Sequence, residues 1–202
     1  MKKIIYFIEF IIIYIFFIFF KLLGYRISSN FGFLIGKFFG PIFRSKKLII
    51  ENIKKSNISI KQNYKHVASN VLGNYGRMFA EYPFLKNFRN GDLNNFIEII
   101  GKNYLEIIKK EKKSVVFVSG HFNNFELMAM QIEKVGIDCA AIYRPLNNPY
   151  LNEIMEKIRK RDICNKQIKK GRSGTREIVK LLTKGTSIAL MVDQRVREGE
   201  KV

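Results

Sequence analysis

Residues 115–130 read VVFVSGHFNNFELMAM. A run of β-branched and aromatic residues ends in Ser-Gly-His, and helical texture begins a few residues later. Short apolar runs bounded by turn residues predict buried strands, so SVVFVS (114–119) is expected to be one. NNFELMAMQIEKVG then predicts a helix closed by Gly136. The same alternation continues outward. IDCAAIY (137–143) reads as a strand, NNPYLNEIMEKIRKR as a helix with Pro149 in its first turn, GTREIVKLLTKG as a helix, and TSIALMV (186–192) as a strand. Upstream, FIEII (96–100) suggests a short strand and KNYLEIIKKEK a helix. Strands separated by helices of 10 to 15 residues imply an α/β unit with a largely parallel sheet flanked by helices, spanning 96–202.

In open α/β sheets the reactive groups gather beyond the carboxyl ends of the strands. Three such ends carry polar residues: SGHFNN after 114–119, YRPLNNP after 137–143, and DQR after 186–192. His121 stands at the first of them, with Glu126 five positions on. A histidine that removes a proton from a hydroxyl needs a carboxylate to hold one tautomer and stabilise the imidazolium. With a helix starting near Phe122 or Asn123, Glu126 falls within the first turn and a half, where the helix dipole favours a carboxylate. The plainer alternative is that His121 caps the helix and Glu126 is a solvated first-turn acid. The other histidine, His66, lies in a helical pattern with no chemical neighbour in sequence. Cys139 and Cys164 lack C-x-x-C spacing and read as reduced structural thiols, and nothing predicts a metal or an organic cofactor.

The N-terminal stretch is unlike the rest. From Lys3 to Lys21 an apolar run is interrupted only by Glu9. About 20 helical residues suffice to cross a hydrocarbon core, so residues 1–23 are expected to be a membrane anchor, either spanning or lying in the interface. A signal peptide is disfavoured because the run is long and no small-residue cleavage site follows. Basic residues after the run (Lys21, Arg26, Lys37, Arg44, Lys46, Lys47) outnumber Lys2 and Lys3 before it, so the body is expected on the cytoplasmic side of the membrane. Residues 24–95 read as a helical membrane-proximal region. Within it, the glycine-punctuated 27–43 is either a second membrane-contacting helix ending at Pro41 or a core-packing one. The chain carries 36 Lys+Arg against 17 Asp+Glu, a formal charge of +19, so its partners should be anionic. No nucleic-acid-binding signature accompanies that charge.

Taken in order, SGHFNNFE, IYRPLNNP, a basic helix and MVDQR resemble the lipid A biosynthesis acyltransferase family, the lauroyl and myristoyl transferases within the wider glycerolipid acyltransferase group. That resemblance implies transfer of a fatty acyl chain from an acyl carrier protein thioester to a hydroxyl of a phosphorylated glycolipid, a lipid A precursor, without a cofactor. An acyl-CoA-dependent lysophospholipid or glycolipid acyltransferase is the nearest alternative. The resemblance makes His121 the general base and Glu126 its orienting carboxylate. Arg159 would contact acceptor phosphate or the developing oxyanion, with Asn124, Arg144 and Asp193 as further substrate-binding residues. For Arg144 and Asp193 an ion pair that fixes the loops is the structural alternative. Because relatives continue beyond the point matching Val202, the α/β core is expected to be truncated at its C-terminus.

Overall fold

The computed structural model describes residues 2–193. They fall into two compact units, one of residues 11–84, the other of residues 1–10 together with 85–202.

The first unit is helical. It takes the greater part of α1 (Lys2–Leu23), followed by α2 (Tyr25–Phe43), α3 (Lys46–Lys55), α4 (Tyr64–Glu81) and a 3₁₀ turn at Tyr82–Phe84. Its core contact is a glycine seam. Gly32, Gly36 and Gly40 recur every four residues, so they share one face of α2. That face meets Leu72, Gly73, Gly76 and Ala80 of α4 at backbone distance. A Cβ on Gly36 would lie 2.9 Å from the Gly76 nitrogen, and one on Gly76 would lie 2.7 Å from the Gly36 Cα. Beyond the seam, the buried Glu81 carboxylate accepts from Ser29 Oγ at 2.7 Å and from Tyr25 Oη at 3.3 Å. Arg77 donates to Ser29 Oγ at 2.7 Å, which completes a polar brace between the two helices. The opposite face of α2 leaves Leu34, Phe38 and Ile42 exposed. Of the two readings of 27–43, the glycine seam shows the core-packing one. The helix does not end at Pro41: Arg44 N–H donates to Gly40 O at 2.9 Å and closes a last turn beyond the proline.

The second unit holds the sheet. Its elements are α5 (Leu85–Asn90), a 3₁₀ turn at Asn94–Phe96, α6 (Lys102–Glu111), β1 (Val116–Ser119), α7 (Glu126–Lys134), β2 (Cys139–Tyr143), α8 (Pro149–Ile158), a π-helical turn (Arg159–Ile163), β3 (Lys166–Lys169), α9 (Arg172–Thr183) and β4 (Ser187–Met191). All pairings are parallel, in the order β1-β4-β2-β3. The α/β class with a parallel sheet is as the sequence indicated. At its centre Ala140, Ile168 and Ile188 are buried under Ile178, Leu181 and Leu182 of α9. Cys139 and Cys164 are free, buried thiols.

Three local readings change. FIEII forms no strand; the 3₁₀ turn at Asn94–Phe96 consumes its start, and an extended segment needs a ladder partner to satisfy its backbone. β1 is a strand but not a buried one. It lies at the sheet edge among the described residues, with Val116 and Val118 exposed at 49% and 60%. The lysine-flanked KQIK is a strand that periodicity did not reveal, because Ile168 is its one buried residue.

The glycine seam gives a direct expectation. Gly76→Ala should destabilise the solubilised protein by about 1–3 kcal/mol, the usual range for overpacking. Tyr75→Ala, at a position more than half exposed, should change the denaturant midpoint far less. Equal midpoints for the two variants would show that the helices do not meet at this seam.

Candidate active site

The site begins with strand register. β1 and β4 pair in parallel with Ser119 opposite Met191. Two residues past each of these come His121 and Asp193, and the side chains meet. The Asp193 carboxylate bridges the histidine at two points: Oδ2 accepts from the His121 main-chain N–H at 2.8 Å, and Oδ1 lies 2.7 Å from ring Nδ1. A carboxylate only accepts, so this contact places a proton on Nδ1. Burial alone would raise the Asp193 pKa. The hydrogen bonds from the His121 main chain and ring outweigh it and hold the carboxyl below the usual carboxylate range.

The turn between β1 and α7 is built around this contact. Phe122 N–H donates to Gly120 O at 2.9 Å, and Asn123 takes a left-handed conformation (φ 41°), which asparagine tolerates better than most residues. A Cβ on Gly120 would stand 3.1 Å from Asp193 Oδ2 and 3.0 Å from the Phe122 ring, so the close approach favours glycine. Phe125 meets the imidazole edge-on with ring centroids 4.6 Å apart. Asn124 is half-buried in the same turn, while Phe122 is 76% exposed beside the histidine.

Glu126 opens α7, three residues later than the start the sequence suggested. It is buried and meets a guanidinium: Arg159 donates from Nε at 2.9 Å and from Nη2 at 2.6 Å to Glu126 Oε1. Arg159 sits where α8 widens into the π turn, whose Cys164 N–H reaches Arg159 O at 3.0 Å. Such one-turn widenings re-aim side chains and occur often at functional sites. Its guanidinium also lies 5.8 Å from the centroid of Tyr143, at the end of β2. Burial, together with a hydrogen bond to Glu156, pushes the Tyr143 phenol well above its usual range.

Spacing did not disclose two of the contacts: Asp193 with His121, and Glu126 with Arg159. Arg144, the candidate partner of Asp193, is exposed just past β2 and makes no side-chain ion pair among the described residues. Arg161 turns outward and pairs with buried Asp162 at 2.6 Å. His66 is exposed on α4, in the other unit. Gln194 and Arg195 of the DQR motif lie outside the described residues. The missed signal was the pairing of two strand ends 72 residues apart, which no local motif encodes.

A model of bacterial lipid A biosynthesis acyltransferases matches residues 1–202. The chain belongs to that family. No curated protein matches it. The acyltransferase family carries with it an acyl donor and a lipid acceptor, and α1 is long and apolar enough to serve as a membrane anchor.

The depressed Asp193 pKa has a signed consequence. A folded-state pKa below the unfolded value contributes stability that is present above the unfolded value, about 3.9, and is lost as pH falls through the folded one. Asp193→Asn should therefore melt below the parent at pH 6–7, with the gap closing as pH drops under about 4. Asp193 is close to half exposed, so solvent screening keeps the gap small. A gap that widens toward acid pH would overturn the pairing.

Proposed function

We propose that this protein moves a fatty acyl chain from an acyl carrier protein thioester to a hydroxyl of a phosphorylated lipid A precursor, at the cytoplasmic face of the inner membrane. The observation that carries the reading is the two-point grip of Asp193 on His121 at the ends of adjacent strands.

His121 Nε2 takes the proton of the acceptor hydroxyl as its oxygen attacks the thioester carbonyl carbon. Asp193 fixes the ring and stabilises the imidazolium that forms. The carbonyl becomes a tetrahedral oxyanion. Its collapse breaks the carbon–sulfur bond, and the departing thiolate receives the proton from His121. Arg159, steadied by Glu126, supplies fixed positive charge for the oxyanion or the acceptor phosphate. In this scheme Glu126 acts through Arg159 and is a positioning residue. Asn124 and Arg144 complete the acceptor side, Arg144 as an exposed cation available to a phosphate. The thioester is already activated, so the scheme calls on no metal or organic cofactor. The net charge of +19 suits both an acidic carrier protein and a phosphorylated acceptor.

Removing Glu126 leaves a largely buried guanidinium uncompensated, which costs about 3–5 kcal/mol. Its variants therefore mix stability with activity, and His121 and Arg159 are the cleaner tests. Purified protein with lipid A precursor should consume acyl carrier protein thioester faster than acyl-CoA. His121→Ala should abolish transfer without shifting the melt. Arg159→Ala should lose far more activity than Arg161→Ala, with Arg159→Lys only partly restoring it, because an ammonium cannot reproduce a two-pronged contact. Unchanged transfer by His121→Ala would end this mechanism. Preference for acyl-CoA and a lysophospholipid would move the protein to the neighbouring acyltransferase class.

A further inference from the structure

A helix as long and apolar as α1 can cross a bilayer, yet one stripe along it is already packed against the protein. Tyr6, Phe10, Ile13, Phe17 and Phe20 recur at steps of three and four and are the partly or fully buried positions, while Ile4, Ile8, Ile12, Ile15 and Leu22 stay exposed. A spanning helix meeting lipid all round has no reason for such a stripe.

In the sheet unit the first ten residues are held by α8. Asn148, 5% exposed, uses both ends of its amide. Its Oδ1 caps α8 by accepting from the main-chain N–H of Tyr150 and Leu151, at 3.1 and 3.3 Å. Its Nδ2 donates to Tyr6 O at 2.8 Å and to Glu9 Oε2 at 3.0 Å. The Phe7 and Phe10 rings lie 5.6 and 6.2 Å from the Tyr150 ring. Glu9, the one interruption of the apolar run, thus has a partner on the body of the protein. A carboxylate that far into a spanning helix would be costly in hydrocarbon.

In the helical unit the other end of α1 is tied as well. Phe17 stacks near Phe79 and Tyr82, Ser28 Oγ donates to Phe20 O at 2.6 Å, and Lys21 Nζ donates to Pro83 O at 3.2 Å. Pro83 is two residues before Leu85, where the chain enters the sheet unit. Subtracting the docked residues 2–10 leaves residues 11–23, about 20 Å of helix at 1.5 Å per residue. A hydrocarbon core is about 30 Å thick. The remainder is too short to cross.

We infer that α1 is an in-plane anchor that lies along one leaflet without crossing it, and that the Asn148–Glu9 contact holds its N-terminal end on the side of the catalytic unit. The inference rests on the membrane attachment in the functional reading above. The occupant of the exposed face is the acyl layer of that leaflet. Lys2 and Lys3 at one end and Lys21 at the other then reach the same headgroup plane, as basic residues flanking an interfacial helix do.

Protease added to sealed, inverted inner-membrane vesicles tests this with the full chain carrying an epitope tag before Met1. The tag should be digested together with the catalytic unit. A tag that survives until detergent is added, while the unit is cut, would overturn the in-plane arrangement and establish a span. The protein should also stay with the vesicles through a high-salt wash. Release by salt would instead remove the membrane reading on which the inference rests. Asn148→Asp keeps the oxygen that caps α8 but sets a carboxylate against Glu9. Amide exchange over residues 4–10 should then accelerate severalfold with α8 unchanged, whereas unaltered exchange there would refute the role of Asn148.

Discussion

The proposed chemistry depends on the parallel pairing of β1 with β4, because that pairing brings His121 to Asp193. A parallel ladder fixes which residues leave the two strands side by side, and here it delivers an imidazole and a carboxylate. The carboxylate then does two things with two oxygens. One accepts from the His121 backbone and fixes the turn, and the other accepts from the ring and fixes the tautomer. Gly120 leaves room for both. A slip of one residue in the ladder would turn the side chains to opposite faces of the sheet, so the chemistry depends on register as much as on residue type.

A second, independent constraint positions the cation. α8 begins with a well-formed cap at Asn148 and Pro149 at its first turn, which sets its phase. The widening at Arg159 then departs from that phase. Arg159 goes inward to Glu126, while Arg161 goes outward to Asp162. Glu126 sits at the N-terminus of α7, where the helix dipole supports its charge and supplements the guanidinium. Asn148 links this arrangement to the N-terminal helix as well, through the second end of its amide.

The sequence made the alternating α/β plan legible because 114–119, 137–143 and 186–192 are short apolar runs bounded by turn residues, with amphipathic helices between them. It also marked His121, which stands at a break in that texture, whereas Arg159 followed only from the family resemblance. Four features stayed hidden for physical reasons. KQIK pairs through its backbone and buries one side chain, so it has no apolar pattern. FIEII has strand-like composition but lacks a ladder partner among the described residues. The exposed valines of β1 follow from strand order, which local sequence does not contain. Asp193, which contacts His121, lies 72 residues away, and Arg159, which contacts Glu126, lies 33 residues away.

The central claim is that Asp193 holds His121 with its proton on Nδ1 and leaves Nε2 as the base. The most direct measurement is nitrogen-15 NMR of the imidazole in the ¹⁵N-histidine-labelled protein with the ring neutral. The chain has two histidines, so His66→Gln assigns the signals. The account expects a neutral His121 ring protonated at Nδ1, with its shifts displaced in Asp193→Asn. A neutral ring protonated at Nε2, with shifts indifferent to Asp193, would contradict it.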